Sequence, residues 1–140
     1  MAFTGNYSCN TLRSGLVDGT INFSSGTFYL ALYTNSATLD QTTTAYTATG
    51  EASGGDYVAG GQSVAATVSS QTTSNGSVTY ITFSAPSWTG EITARGALIY
   101  APGANGAVCV LDFGSDKTSS NTFTVQMPAN TSTSALIRIV

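Results

Sequence analysis

Residues able to do acid–base, nucleophilic or metal chemistry are few in this 140-residue chain. They are seven acids (Asp18, Asp40, Glu51, Asp56, Glu91, Asp112 and Asp116), four basic residues (Arg13, Arg95, Lys117 and Arg138) and two cysteines, Cys9 and Cys109. Histidine is absent. That removes Ser-His-Asp and Cys-His nucleophilic systems, imidazole general bases and the usual histidine-bearing zinc and iron sites in one step. A cysteine nucleophile needs a cation or base beside it to lower its pKa, whereas Cys109 sits in Val108-Cys109-Val110. Paired carboxylates remain a route to glycoside hydrolysis, one acting as acid and the other as base or nucleophile. Glu51 and Asp56 flank a glycine-rich turn, and Asp112 and Asp116 bracket Phe113-Gly114-Ser115, but chance spacing accounts for both pairs. Turn carboxylates at Asp112 and Asp116 also suit calcium, although the spacing is not that of an EF-hand. Asp112-Phe113-Gly114 copies a kinase tripeptide without the phosphate loop, strand lysine or catalytic loop that would give it meaning. The expectation is a protein that is not an enzyme and holds no cofactor and no metal.

Composition narrows the class further. Charged residues make up 8% of the chain and hydrophobic ones 41%, against roughly 25% charged in an average soluble protein. Ser, Thr, Gly and Asn fill the difference, so the surface is polar with little of the charge repulsion that keeps monomers apart. Such a surface suits a chain covered in part by neighbours; a secreted domain with a Ser/Thr-rich coat is the plainer alternative. Nucleic-acid binding needs clustered Lys and Arg, and the basic residues here are scattered and outnumbered, so no nucleic-acid partner is expected. No stretch reaches the ~18 apolar residues of a membrane span, and residues 1–6 lack the basic and apolar regions of a secretory leader. A soluble protein made in the cytoplasm, with no membrane partner, is the expectation. Cys9 and Cys109 read as two buried reduced thiols, with a single bridge as the alternative. Trp88 and the tyrosines at 33, 46, 57, 80 and 100 admit a sugar-stacking platform. Closure of the core or of a subunit interface asks less of the geometry and is the preferred reading.

The elements that must position these residues follow from periodicity. Residues 6–18 carry Cys9, Leu12 and Leu16 at spacings of three and four, which predicts one short helix capped at Asn6 or Ser8 and ended by Gly19. From residue 27 the period becomes two. Residues 27–33 are apolar on both faces and predict a central strand covered on both sides. Further strands are expected at 78–84, 91–100, 107–113, 122–127 and 134–140, with shorter ones at 57–59 and 62–68, separated by glycine, proline and asparagine turns. Asn75-Gly76 predicts a tight hairpin turn. If residues 101–106 form a simple hairpin loop, Tyr100 faces Ala107, and counting outward sets Arg95 opposite Asp112 as a cross-strand ion pair. Residues 34–56, rich in Thr, Ala, Ser and Gly, are long for a structureless loop. They are expected to hold a short strand at 45–47 or to form an arm that orders against a partner. The fold class expected is mainly all-β: one domain over residues 1–140, a β-sandwich or jelly roll of about 6–8 short antiparallel strands.

Several segments also resemble a family of small virion structural proteins of tailed bacteriophages: 28–36 (FYLALYTNS), 38–40 (TLD), 44–48 (TAYTA) and 57–61 (YVAGG). The similarity continues through Trp88, 93–100 (TARGALIY), 110–117 (VLDFGSDK), 122–128 (TFTVQMP) and 135–139 (ALIRI), and so spans nearly the whole chain. It implies an assembly role without catalysis in the virion, with the major capsid protein or other virion proteins as partners and a homo-oligomeric (dimeric or trimeric) state. It also implies that Arg95, Gly96 and Asp112 are framework residues. Within that class a capsid cement or decoration protein leads, a tail, collar or baseplate component follows, and a host-surface carbohydrate-binding module is the reading from a different class. Leu12, Leu16, Tyr46, Tyr57 and Trp88 are the candidate contact residues.

Overall fold

The computed structural model describes residues 3–140 and is mostly β. In chain order its elements are β1 (Tyr7–Ser8), α1 (Asn10–Asp18), β2 (Phe28–Tyr33), β3 (Gln62–Val64), β4 (Ala66–Thr73), β5 (Gly76–Phe83), β6 (Ser87–Thr89), β7 (Thr93–Tyr100), β8 (Ala107–Thr118), β9 (Thr122–Thr124) and β10 (Ile137–Ile139). All pairings are antiparallel: a five-stranded sheet β1-β8-β7-β2-β3, a three-stranded sheet β10-β5-β4 and a ribbon β6-β9. Residues 62–73 pass from one sheet to the other, breaking only at Ala65, which makes the corner of a sandwich-like body.

Period-two patterning explains why β2 lies inside. Phe28, Leu30 and Leu32 point into one core with Ile81, Phe83, Trp88, Ile92, Ile99 and Phe123. The alternate residues Ala31 and Tyr33 point into a second core with Phe3, Cys9, Leu39, Leu98 and Val110. Each fully buried aliphatic or aromatic side chain contributes about 1.5–3 kcal/mol relative to exposure, so the doubly covered strand is a large share of the stabilisation. The first core is roofed by the three-stranded sheet, the ribbon and α1; the second is roofed by the N-terminal segment and residues 37–39.

The helix is shorter than expected. It begins at Asn10, with Cys9 as an extended N-cap residue and no side-chain cap. Neither Asn6 nor Ser8 caps it, because the preceding backbone is taken by the ladder of β1 to β8, Ser8 opposite Cys109. Asn6 Oδ1 instead accepts from the backbone N–H of Asp112 at 2.6 Å. Gly19 ends the helix in the left-handed conformation (φ 84°), as its sequence position predicts. The docked face runs through Thr11, Leu12 and Gly15, while Leu16 is 37% exposed.

Residues 34–56 are neither an unattached arm nor a carrier of a strand at 45–47. They lie along the end of β2, where Tyr33 bridges to Glu51, the N–H of Thr34 donates to Gly50 O (2.8 Å) and that of Ala52 donates to Leu32 O (2.9 Å). Further backbone bonds run from Asn10 N to Gln41 O (2.8 Å) and from Ala107 N to Thr44 O (3.0 Å). Ala37, Leu39 and Ala52 are buried. The segment escaped a period-two reading because its backbone bonds to several elements in turn. The strand expected at 57–59 is also replaced, by a turn that brings the Tyr57 hydroxyl under β2.

Gly61 marks where the chain passes closest to β2. Its φ is +81°, and a Cβ there would overlap the Leu30 carbonyl and Ala31. Gly103 has a similarly left-handed φ of +102° but open space around it. Gly61→Ala is expected to lower stability by on the order of 3 kcal/mol or more, against about 1 kcal/mol for Gly103→Ala. Urea denaturation of the two variants checks this; equal losses would contradict the close approach.

Candidate functional site: a tyrosine-clamped carboxylate and an apolar cleft

Two carboxylates accept hydrogen bonds inside the fold. Asp112 lies on β8 opposite Gly96, and its Oδ1 accepts from Arg95 Nε at 3.1 Å and from the Gly114 N–H at 2.8 Å. The pair is largely shielded, with side chains 16% and 12% exposed. Tyr100 does face Ala107, but an irregularity then sets Ile99 against Cys109, so Gly96 rather than Arg95 meets Asp112 directly. Arg95 falls in a second irregularity, and its long side chain closes the distance that the register leaves. The Phe3 ring lies where a side chain at Gly96 would project.

Glu51 is the second. Its Oε1 accepts from Tyr46 OH (2.6 Å), and its Oε2 accepts from Tyr57 OH (2.6 Å) and the Gly60 N–H (2.7 Å). Tyr57 OH in turn accepts from the Leu32 N–H at 2.9 Å, tying the cluster to β2. Beside it, Tyr33 OH donates to Thr47 O (2.7 Å) and Tyr100 OH to Gly60 O (2.8 Å). Three rings stack in series. Tyr29 and Tyr100 are 5.9 Å apart at 25°, and Tyr46 and Tyr100 are 5.1 Å apart at 26°. They line an open groove of about 540 Å³ whose rim includes Pro102 and Gly103.

This arrangement resists ionisation of the phenols. Donation to Glu51 pushes Tyr46 up to about 12. Burial, reinforced by the Glu51 charge, pushes Tyr100 up to about 12. Burial first and Glu51 second raise Tyr57, and burial raises Tyr33. Burial also raises both thiols, Cys9 to about 11 with Asp40 adding to the effect, so neither is poised as a thiolate. Both cysteines are free and buried.

The remaining predicted residues are dispersed. Trp88 is 3% exposed and packs in the first core with its ring 5.4 Å from that of Tyr57, so it is neither a surface contact nor a sugar platform. Leu12 is likewise core, at 3% exposure. Tyr46 and Tyr57 are half-buried and committed to Glu51. Asp56 does not join Glu51; its Oδ1 accepts from the Thr89 N–H at 2.8 Å. Among the described residues no three His, Cys, Asp or Glu side chains are grouped to hold a metal ion, and no helix is long and apolar enough to cross a membrane. Of the candidate contact residues, Tyr46 lines the tyrosine groove and Leu16 reaches an apolar surface. With Val68 and Ile139, 44% and 47% exposed, it lines a cleft of about 340 Å³ floored by Ile21, Phe23 and Ile81. Ile139, on the strand expected over 134–140, lies opposite Thr79 and is exposed. Nothing in the sequence singles out the clamp on Glu51, since Glu51 and Asp56 both lie between Tyr46 and Tyr57.

Comparison with protein-family models, with curated proteins and with solved structures finds no match to this chain.

The raised phenols set a pH dependence. A tyrosine whose folded pKa exceeds its unfolded value, about 10, contributes stability that is fully present below pH ~10. That contribution is lost as pH rises through the folded values of about 12 for Tyr46 and Tyr100. Stability is therefore expected to hold through neutral pH and to fall once pH passes about 10. Glu51→Gln removes the charge that opposes ionisation and is expected to move tyrosinate absorbance to lower pH. An unchanged titration in that variant would contradict the clamp.

Proposed function

We propose that the protein is a non-enzymatic structural component of a tailed-phage virion, acting as a capsid cement or decoration protein that bridges major capsid protein subunits. The observation that carries the reading is the apolar cleft between α1 and the three-stranded sheet, where Leu16 and Ile139 remain exposed on a surface poor in charge. Cementing a shell needs many modest contacts multiplied by symmetry rather than one deep pocket, and a weakly charged polar surface with one apolar strip supplies such contacts. The sequence resemblance points to the same class. The internal engagement of Glu51 and Asp112 fits it too, since both serve as acceptors within the fold.

A tail, collar or baseplate station is the nearest alternative, and copy number separates the two: hundreds per particle for a shell, about a dozen for a collar. A host-surface carbohydrate-binding role is favoured by one observation, the groove lined by the stacked Tyr29, Tyr100 and Tyr46. It predicts loss of glycan adsorption on Tyr29→Ala, with Trp88 uninvolved.

Capsids lacking this protein are expected to bind it at icosahedral stoichiometry and to gain resistance to heat. Leu16→Asp with Ile139→Asp is expected to abolish that binding while leaving the thermal unfolding of the free protein nearly unchanged. Absence of binding by the unaltered protein would sink the cement reading.

A further inference from the structure

The two sheets differ in how their edges are protected. At the β3 edge the Gln62 side-chain amide donates to Ser87 O and its carbonyl accepts from the Ser87 N–H, which ties β6 over that strand. At the β10 edge Arg138 places a charge on the strand and bonds Ser132 O at 2.6 Å. Charged side chains and covering segments are the usual protection against edge-to-edge pairing. β4 has neither. It is eight residues long, it lies at the end of its sheet, and its sequence ATVSSQTT contains no charge and no proline. It pairs with β5 in unbroken register from Ala66↔Phe83 to Thr73↔Gly76.

The phase of that ladder shows which backbone groups point outward. Ser84 N donates to Ala65 O at 2.9 Å, so the 65/84 pair is a hydrogen-bonded one. Alternation then makes 67/82, 69/80, 71/78 and 73/76 the hydrogen-bonded pairs and turns Ala66, Val68, Ser70 and Thr72 toward the open edge. Each presents one N–H and one C=O, eight groups in all, with no protein partner among the described residues.

We propose that this edge joins a second copy of the chain, β4 against the partner's β4, in an antiparallel pair about a two-fold axis through Ser69. The register is self-complementary. Ala66 meets the partner's Thr72 and Val68 meets the partner's Ser70, and the same two pairs recur on the other side of the axis. Four hydrogen-bonded pairs of two bonds each consume every outward group on both strands. Because β4 is uncharged, no like charges meet across the axis, which is what allows a strand to pair with its own copy. Val68 and the partner's Val68 lie on the same face and cover one another diagonally, which accounts for an apolar residue left 44% exposed in the middle of the strand. The product is a continuous six-stranded sheet through both copies. The inference is independent of the virion reading, since it concerns the purified protein in solution.

Sedimentation equilibrium of the intact chain tests it, with the mass expected at twice 14.3 kDa. Val68→Lys with Ser70→Lys sets lysine against lysine at both central pairs and is expected to halve the mass. Val68→Glu with Ser70→Lys alters the same positions but sets glutamate against lysine, and it is expected to retain the dimer. Circular dichroism and melting of both variants confirm that the hairpin is intact. A monomeric or trimeric parent protein overturns the proposal, as do two variants of equal mass.

Discussion

β2 carries apolar side chains on both faces, and covering both of them organises the rest of the molecule. One face takes Phe28, Leu30 and Leu32 into the core shared with the three-stranded sheet and the ribbon. The other takes Ala31 and Tyr33, which no second sheet covers among the described residues. That side is closed by the N-terminal segment and residues 34–56, a loop by backbone geometry but a structural layer by burial. A sheet that needs two roofs and has strands for only one must use irregular chain for the other. Irregular chain brings backbone polar groups that have to be bonded.

The tyrosines and Glu51 meet that requirement. Hydroxyls on rings large enough to reach across the layer bond Thr47 O, Gly60 O and the Leu32 N–H, and Glu51 gathers two of the hydroxyls and one backbone N–H. No buried side-chain polar atom among the described residues is left without a partner. Half-buried carboxylates are costly unless their acceptor sites are filled. A chain with seven acids thus uses Glu51 and Asp112 as internal fasteners.

Where periodicity is strong the sequence already describes the structure: β2, β5, β7 and the first half of β8 lie where alternation places them. The contact of Arg95 with Asp112 was also legible, although it forms past two irregularities that a simple count does not include. The helix starts later than its local signals predict because a two-residue ladder of β1 to β8 claims the backbone at Tyr7 and Ser8, a tertiary pairing with no local mark. Trp88 and Leu12 qualify as contact residues by type alone, but exposure cannot be read from residue type; the ribbon β6-β9 and the underside of α1 bury them. Residues 34–56 admit either a short strand or an arm in the sequence because their bonds go to α1, β8 and β2 in succession, which leaves no period to detect.

Native-state hydrogen exchange on the free protein tests the central claim most directly, that residues 34–56 are a built layer over the second face of β2. The N–H groups of Thr34, Ala52 and Ala107, bonded to Gly50, Leu32 and Thr44, are expected to exchange as slowly as those in the middle of β2 and β7. Rapid exchange at these three positions, with slow exchange confined to the strands, would contradict it and return the segment to an arm ordered only by a partner.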